Sequence, residues 1–348
     1  MKRVGSALGV MFLLGAVTAA DVRTDVTRMF GFPSRGHGGR SGRVAHDPAR
    51  RLQADRGSRT KCQGARDSDA IPAIATYNLR SAPFPGSDHP DVAVHVPAGF
   101  DGTEDPGVVV FFHGWENCVA NVLGSVDGAC SPDGPVRDAM HLAEQLDAAH
   151  VNAILVAIEG RYDVQSGEPG QLLVPGNLRA LLHELFVEHL NEPLGCELDV
   201  DDFEHVVLSS HSGGYQATSA ALQFGGVPVR EVQLFDSLYG EVLAFHQWIA
   251  SNAPRFENGR GASLRFANVY TCCGGTSDNS RVMAGGIAEP LTSAGRDGAL
   301  YADESTTAIA PSDLSKPIVF KLSELSHVDV PRTWFRTLVE TSGFAPRP

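Results

Sequence analysis

The sequence predicts an α/β protein with a mostly parallel sheet and helices on both faces. Three observations predict this class: short apolar runs typical of buried strands recur, helical segments separate them, and turn-forming residues punctuate the two. The chain has 348 residues, of which 43% are hydrophobic. Its C-terminal part from residue 70 onward is therefore long enough for one α/β domain with a sizeable core.

Residues 1–20 have the pattern of a signal peptide. Lys2 and Arg3 give a positive start, an apolar stretch covers 4–17, and small residues at 17–20 offer a cleavage site. The apolar stretch is short for a bilayer span, and an uncleaved anchor is the alternative. We expect an exported protein, periplasmic or extracellular, without stable membrane insertion.

Residues 21–69 are predicted to be a disordered basic linker. Ten arginines and one lysine face six aspartates there, and glycine, serine and proline replace most apolar residues. The whole chain nevertheless has a formal net charge of −13, so residues 70–348 are strongly acidic. An acidic body argues against nucleic acid as a partner.

Strand and helix signals alternate along residues 70–348. The predicted strands are 92–96, taken as an outer strand, then 108–112, 153–158, 206–209, 232–235, 264–271 and 318–322. The predicted helices are 136–149, 178–190, 215–224, 243–250 and 332–341. The segment 279–316 is polar and is predicted to be a loop beside the site.

The most informative motif is Ser210-x-Ser212-x-Gly214. It follows the strand 206–209 and precedes the helix 215–224, so Ser212 lies at the apex of a sharp turn. Such a turn lifts a serine hydroxyl clear of the sheet and needs small residues two before and two after the serine. An ordinary strand-to-helix turn is the alternative for this motif alone.

Reactive side chains follow the other predicted strands at their carboxyl ends. In a parallel sheet these ends meet at one edge, where ligands bind. His113-Gly114-Trp115 follows the strand 108–112, Glu159 and Tyr162 follow 153–158, Asp236 follows 232–235, Asp278 follows 264–271, and His327 follows 318–322.

The order serine, acid, histidine on such a sheet resembles the α/β-hydrolase superfamily, in particular its serine esterases and lipases, over about residues 92–344. The resemblance implies that Ser212 is the nucleophile and His327 the base. It favours Asp278 as the acid, because most relatives have it after that strand, and leaves Asp236 as the alternative. The spacing between the predicted elements leaves little room for a large cap domain.

The resemblance also assigns an oxyanion hole to the backbone N–H groups of Trp115 and Gly213. His113 and Gly114 belong to the loop that presents Trp115, and His113 is expected to orient that loop. The candidate substrate pocket contains His113, Gly114, His211, Glu159 and Tyr162.

The expected function is a secreted serine hydrolase that cleaves carboxylic esters, small or polymeric, through an acyl-enzyme. The alternatives are a serine peptidase or amidase on the same fold, and a non-catalytic exported binding protein on a hydrolase scaffold. No nucleotide-binding motif and no metal-ligand spacing occurs, so no cofactor and no metal are expected.

Six cysteines in an exported chain favour disulfide bonds, although six thiols allow many pairings. Cys118 and Cys130 are the favoured pair, because they bracket a short loop. Closing a loop of that length contributes on the order of 3 kcal/mol to stability.

Overall fold

The computed structural model of the chain describes residues 73–165, 167–257, 264–272 and 274–348. The predicted signal peptide (1–20) and basic linker (21–69) lie outside the described residues. Among the helices that are described, none is long and apolar enough to cross a bilayer.

The described strands are β1 (Ala75–Tyr77), β2 (Val92–His95), β3 (Gly107–Phe112), β4 (Gly128–Ala129), β5 (Val136–Arg137), β6 (Ala153–Ile158), β7 (His205–His211), β8 (Val229–Phe235), β9 (Arg265–Thr271), β10 (Leu300–Asp303) and β11 (Ile318–Ser323). The described α-helices are α1 (Val119–Leu123), α2 (Leu142–Ala149), α3 (Asn177–His183), α4 (Asn191–Leu194), α5 (Tyr215–Phe224), α6 (Val242–Ser251), α7 (Gly275–Ser293), α8 (Pro311–Leu314) and α9 (Asp329–Glu340). A π-helical segment, Glu184–Leu190, continues α3 into α4.

Nine of these strands form one sheet in the order β1-β2-β6-β3-β7-β8-β9-β11-β10, and β4 and β5 form a separate hairpin. Strand β2 runs antiparallel to both of its neighbours, and every other pairing in the large sheet is parallel. The predicted fold class, a mostly parallel sheet with helices, is therefore confirmed.

The central strands are buried on both faces, which explains their continuous apolar sequences. Along β3, Val108 and Val110 pack with α3 and α5, whereas Val109 and Phe111 pack with α1, α2 and α9. A third apolar cluster lies between β8, β9, α6 and α7. The helices therefore cover both faces and leave the carboxyl ends of the strands for a site.

Three predictions of local structure were wrong, and a strand was also missed. The strand 92–96 is not an outer strand, because β1 pairs outside it. The helix predicted over 136–149 begins only at Leu142, since Val136 and Arg137 pair with the other strand of the hairpin. The segment 279–316 is not a loop, because it contains most of α7 together with β10 and α8. Strand β1 itself was not predicted.

The hairpin of β4 and β5 is fastened to the main body by the predicted disulfide bond between Cys118 and Cys130, which is confirmed. Their Cα atoms lie 5.8 Å apart, within the normal range for a disulfide. Cys118 is the residue before α1, and α1 packs on the sheet. The bond therefore limits the movement of the segment that follows Trp115.

A buried ion pair joins the amino ends of β8 and β9. Glu231 and Arg265 are cross-strand partners, and their side chains form a short salt bridge. The Arg265 guanidinium also donates to Leu314 O and Thr341 Oγ1, both at 3.0 Å. It thereby ties the sheet to the end of α9.

We expect Arg265→Leu to lower the free energy of unfolding by about 3–5 kcal/mol, because it leaves the Glu231 carboxylate buried without its cation. The double variant Glu231→Leu/Arg265→Leu removes both charges and is expected to recover at least half of that loss. Urea unfolding of the three proteins at 25 °C measures both values. Equal losses in the single and double variants would contradict this account.

Candidate active site

Ser212 lies at the sharp turn between β7 and α5. Its φ is 54°, a left-handed conformation that side chains other than glycine rarely adopt. The close approach of this turn to β3 requires Gly214, because a Cβ there would lie 2.4 Å from Phe112 O. The side chain of Ser212 is neither fully buried nor fully exposed. The turn thus presents a strained serine at the edge of the sheet.

Two buried hydroxyl groups support this turn from below. Ser210 Oγ lies 2.9 Å from Ser237 Oγ, and Ser237 Oγ donates to Ser212 O at 2.8 Å. Ser210 stands where the usual motif has glycine, and its hydroxyl forms part of this support. The supporting role of Ser237 was not predicted from the sequence.

Asp236 follows β8 and is almost completely buried, with 1% exposure. Its carboxylate accepts from His327 Nδ1 at 2.7 Å, from Thr271 N at 2.9 Å and Oγ1 at 2.8 Å, and from Thr276 Oγ1 at 2.6 Å. Burial acts to raise the pKa of Asp236, but the hydrogen bonds from His327, Thr276 and Thr271 together lower it from 3.8 to about 2. The carboxylate is therefore ionised at neutral pH.

Asp278, the preferred acid in the sequence analysis, lies elsewhere. It is in the first turn of α7, with a side chain 81% exposed, and its carboxylate is 3.4 Å from Arg281. The segment after β9 forms a helix rather than a loop. Its first turn directs Thr276 towards Asp236 and leaves Asp278 in solvent. The structure therefore places Asp236, and not Asp278, beside His327.

His327 lies in the short connection between β11 and α9, and its side chain is 36% exposed. One ring nitrogen bonds Asp236, and the ring lies 4.4 Å, centroid to centroid, from the ring of His211. His211 directly precedes Ser212, so Ser212 and His327 lie at the same edge of the sheet. Within the described residues, His327 Nε2 and the Ser212 hydroxyl make no hydrogen bond, to each other or to other groups.

The loop after β3 packs directly on the serine. A Cβ at Gly114 would lie 2.5 Å from Ser212 Cβ and 3.0 Å from both Ser212 Oγ and Gly213 N. Glycine is therefore required for this approach. The backbone N–H of Trp115 makes no hydrogen bond to any described residue, and Gly213 N belongs to the first helical turn after the serine. These N–H groups are the two predicted oxyanion donors.

His113 and Glu159, predicted as pocket residues, are buried beneath this loop. His113 Nδ1 is 2.8 Å from Gly114 O, and His113 Nε2 accepts from Gly160 N at 2.8 Å. Glu159 Oε1 lies 3.2 Å from the same ring nitrogen without a hydrogen bond. Glu159 Oε2 also accepts from Val119 N at 2.9 Å. Burial acts to lower the pKa of His113, but the Glu159 carboxylate and the Gly114 carbonyl raise it overall. The pair holds the loop to α1 and β6.

A cavity of about 330 Å³ opens beside Trp115. Trp115, Glu116, Tyr162, Asp163 and the loop 130–135 line it. Glu116 N donates to Tyr162 O at 2.7 Å, and this bond joins two walls of the cavity. Of the predicted pocket residues, Tyr162 lines this cavity, whereas His211 is buried behind the serine.

Tyr239 is a further residue at the site that the sequence did not single out. Its ring lies edge-on to His327 with a centroid distance of 6.1 Å, and the residue is 43% exposed. Burial of the phenol and the nearby Asp236 raise its pKa to about 12. It is therefore a neutral aromatic wall on the side of His327.

The described residues contain one group of potential metal ligands, Glu184, Glu188 and His189. Both carboxylates already have partners, because Arg80 N donates to Glu184 at 2.9 Å and the Arg80 guanidinium donates to Glu188 at 2.6 Å. This group is an ion-paired surface cluster and supports no metal centre.

The strand order with one antiparallel strand, the serine turn after β7 and the late histidine after β11 define the α/β-hydrolase fold. The resemblance drawn from the sequence is thus confirmed at the level of the fold.

No protein-family model and no curated sequence matches the chain. Among solved structures, the chain is similar to a mutant feruloyl esterase module from Clostridium thermocellum complexed with sinapinate, with a TM-score of 0.45 and 11% identity over 82% of this chain and 95% of that one. It is also similar to a ferulic acid esterase (TM-score 0.44, 10% identity, 72% of this chain and 91% of that one). A third similar structure is esterase B from Lactobacillus rhamnosis (TM-score 0.37, 12% identity, 80% and 88%).

We expect Gly214→Ala to destabilise the protein by about 1–3 kcal/mol, because its Cβ would press on the carbonyl of Phe112 and displace the serine turn. Gly285→Ala is the matched control, since nothing lies within 4 Å of a Cβ there and the residue is inside α7. The control is expected to gain ~0.5–1 kcal/mol. Urea unfolding gives both values, and a Gly214→Ala protein as stable as wild type would refute the close contact.

Proposed function

We propose that this chain is a serine hydrolase that cleaves carboxylic esters through an acyl-enzyme, with Ser212, His327 and Asp236 as its triad. The observation that carries the proposal is the 2.7 Å hydrogen bond from His327 Nδ1 to the buried, ionised Asp236. This bond leaves the other ring nitrogen of His327 unoccupied at the sheet edge where the strained serine lies.

In the first half of the reaction, His327 Nε2 removes the proton from Ser212 Oγ, and Oγ attacks the ester carbonyl carbon. The carbonyl oxygen becomes an oxyanion, and the N–H groups of Trp115 and Gly213 donate to it. One such donor typically contributes about 3 kcal/mol to transition-state stability. The tetrahedral intermediate then releases the alcohol, which takes the proton from His327.

In the second half, a water molecule gives a proton to His327 and its oxygen attacks the acyl carbon. The bond to Ser212 Oγ breaks, Oγ regains the proton, and the carboxylic acid leaves. Asp236 remains ionised throughout and stabilises the imidazolium. The missing Ser212–His327 hydrogen bond is compatible with this course, because catalytic hydrogen bonds are often long before substrate binds.

The cavity beside Trp115 is the proposed substrate pocket. It adjoins the oxyanion loop, and the indole, 43% exposed, forms one wall. The disulfide bond between Cys118 and Cys130 is compatible with an exported enzyme. We therefore extend the proposal to export by a signal peptide at residues 1–20, a linker at 21–69 and a catalytic domain at 70–348.

A fluorophosphonate probe tests the nucleophile, because it reacts with activated serine hydroxyls. We expect the wild-type protein to be labelled on Ser212 and to hydrolyse p-nitrophenyl acyl esters, and we expect Ser212→Ala to lose both properties. Peptide anilides, run in parallel, distinguish an esterase from a peptidase. Absence of labelling and of ester hydrolysis in the folded wild-type protein would favour a non-catalytic binding protein instead.

A pair of matched substitutions tests the acid. Asp236→Asn is expected to lower kcat about 10⁴-fold, because the amide cannot hold His327 in the required tautomer. Asp278→Asn makes the same chemical change at an exposed position and is expected to alter kcat less than about 2-fold. Steady-state ester hydrolysis measures both, and a large loss in Asp278→Asn alone would transfer the role to that residue.

A further inference from the structure

His211 contacts His327 in two ways. Its Nε2 lies 3.0 Å from His327 O, and the two imidazole rings are 4.4 Å apart between centroids, inclined by 34°. His211 is only 4% exposed, so it lies behind the site rather than in the substrate pocket. His211 thus bonds the backbone carbonyl of His327, whereas Asp236 bonds its imidazole ring.

The carbonyl of His327 needs such a partner because of the local sequence. The residue four positions later, which would donate to it in a regular helix, is Pro331, and proline has no N–H group. Within the connection from β11 to α9, Ser326 Oγ donates to Asp329 Oδ2 at 2.5 Å, a bond that does not involve His327, and two backbone N–H groups also have partners. Asp329 N donates to Ser326 O at 3.0 Å, and Leu325 N donates to Ser323 Oγ at 3.3 Å. Neither of these bonds fixes His327 itself.

The imidazole of His211 has a cost in stability. Its Nδ1 is buried and has no hydrogen-bond partner among the described residues. Burial and the neighbouring His327 lower the pKa of His211 to about 3, so the ring stays neutral, with its proton on Nε2 facing the carbonyl. An unpaired buried acceptor destabilises a fold, which an apolar side chain of similar size would avoid. The contribution of this ring to fold stability therefore does not account for it.

We propose that His211 is a positioning residue, whose Nε2–H bond to the His327 carbonyl keeps the His327 imidazole over Ser212. The inference rests on the proposed hydrolase function. It adds a fourth side chain to the machinery, one that touches neither substrate nor reacting atoms.

Three substitutions separate the hydrogen bond from the bulk of the ring. His211→Gln carries an N–H donor at the place of Nε2, His211→Asn carries its amide at the place of Nδ1, and His211→Leu has no donor. We expect kcat for p-nitrophenyl esters to fall about 10-fold or more in the Leu and Asn variants with KM changed less than about 3-fold, since small misplacements of catalytic groups are costly. The Gln variant is expected to stay within about 3-fold of wild type.

Thermal unfolding distinguishes positioning from a structural role. His211→Leu is expected to keep or raise the melting temperature, because it removes the buried unpaired Nδ1, while its rate of fluorophosphonate labelling falls in parallel with kcat. The inference is overturned if His211→Leu keeps its kcat, if stability and kcat fall together, or if the Gln variant is as slow as the Asn variant.

A further measurement does not depend on ester hydrolysis. The proton shared by His327 Nδ1 and Asp236 is expected to give a downfield NMR signal in the wild-type and Gln proteins, and to be broadened by exchange in the Leu protein. An unchanged signal in the Leu protein would overturn the inference even for a chain that hydrolyses no ester. Lack of hydrolysis with the expected NMR pattern would refute only the proposed function.

Discussion

The buried carboxylate of Asp236 joins segments that are far apart in the sequence. Its partners come from the end of β9, the start of α7 and the connection before α9, through Thr271, Thr276 and His327. Each bond to an ionised acceptor is stronger than a neutral one, and burial removes the competition from water. The Asp236 carboxylate therefore holds these three segments together at the carboxyl edge of the sheet. The bond between Asp236 and His327 thus depends on the register of β8, β9 and β11.

The site also contains strain that the rest of the fold must support. Ser212 and Asp236 both have positive φ values, 54° and 45°, and each such residue costs of order 1–3 kcal/mol. At the amino ends of β8 and β9, Glu231 and Arg265 link these strands to α8 and α9 through buried charge-assisted bonds. The buried ion pair at the amino ends of these strands thus helps the fold to support the strained residues at the carboxyl edge.

The sequence allowed most strands to be predicted, because a strand covered on both faces has a continuous apolar run. It also indicated where Ser212 and His327 lie, because each follows a predicted strand, β7 and β11 respectively. The aspartate that bonds His327 was not predictable in the same way. Both Asp236 and Asp278 follow strands, and the choice between them depends on whether a loop or a helix comes after β9.

That helix, α7, has little helical signal of its own. It contains Gly285, Gly286 and Pro290, which all disfavour helix, and its formation depends on packing against the sheet. Met283, Ile287 and Leu291 are buried in the cluster with β8 and β9. Tertiary burial thus overrides local propensity, so the local sequence predicts a loop where the structure has a helix. The predicted helix 136–149 was wrong at Val136 and Arg137 for a similar reason. These two residues form a strand of the hairpin, which a strand partner and the disulfide bond between Cys118 and Cys130 hold in place.

Two histidine–carboxylate pairs flank the serine turn, and their surroundings give them different chemistry. His113 has both ring nitrogens engaged, one with Gly114 O and one with the N–H of Gly160, and its side chain is 1% exposed. It therefore has no free ring nitrogen. His327 has Nδ1 on Asp236, a second nitrogen without a hydrogen bond to any described residue, and a side chain 36% exposed. Only the second arrangement leaves a ring nitrogen without a partner among the described residues, and the proposed function gives that nitrogen the role of the base.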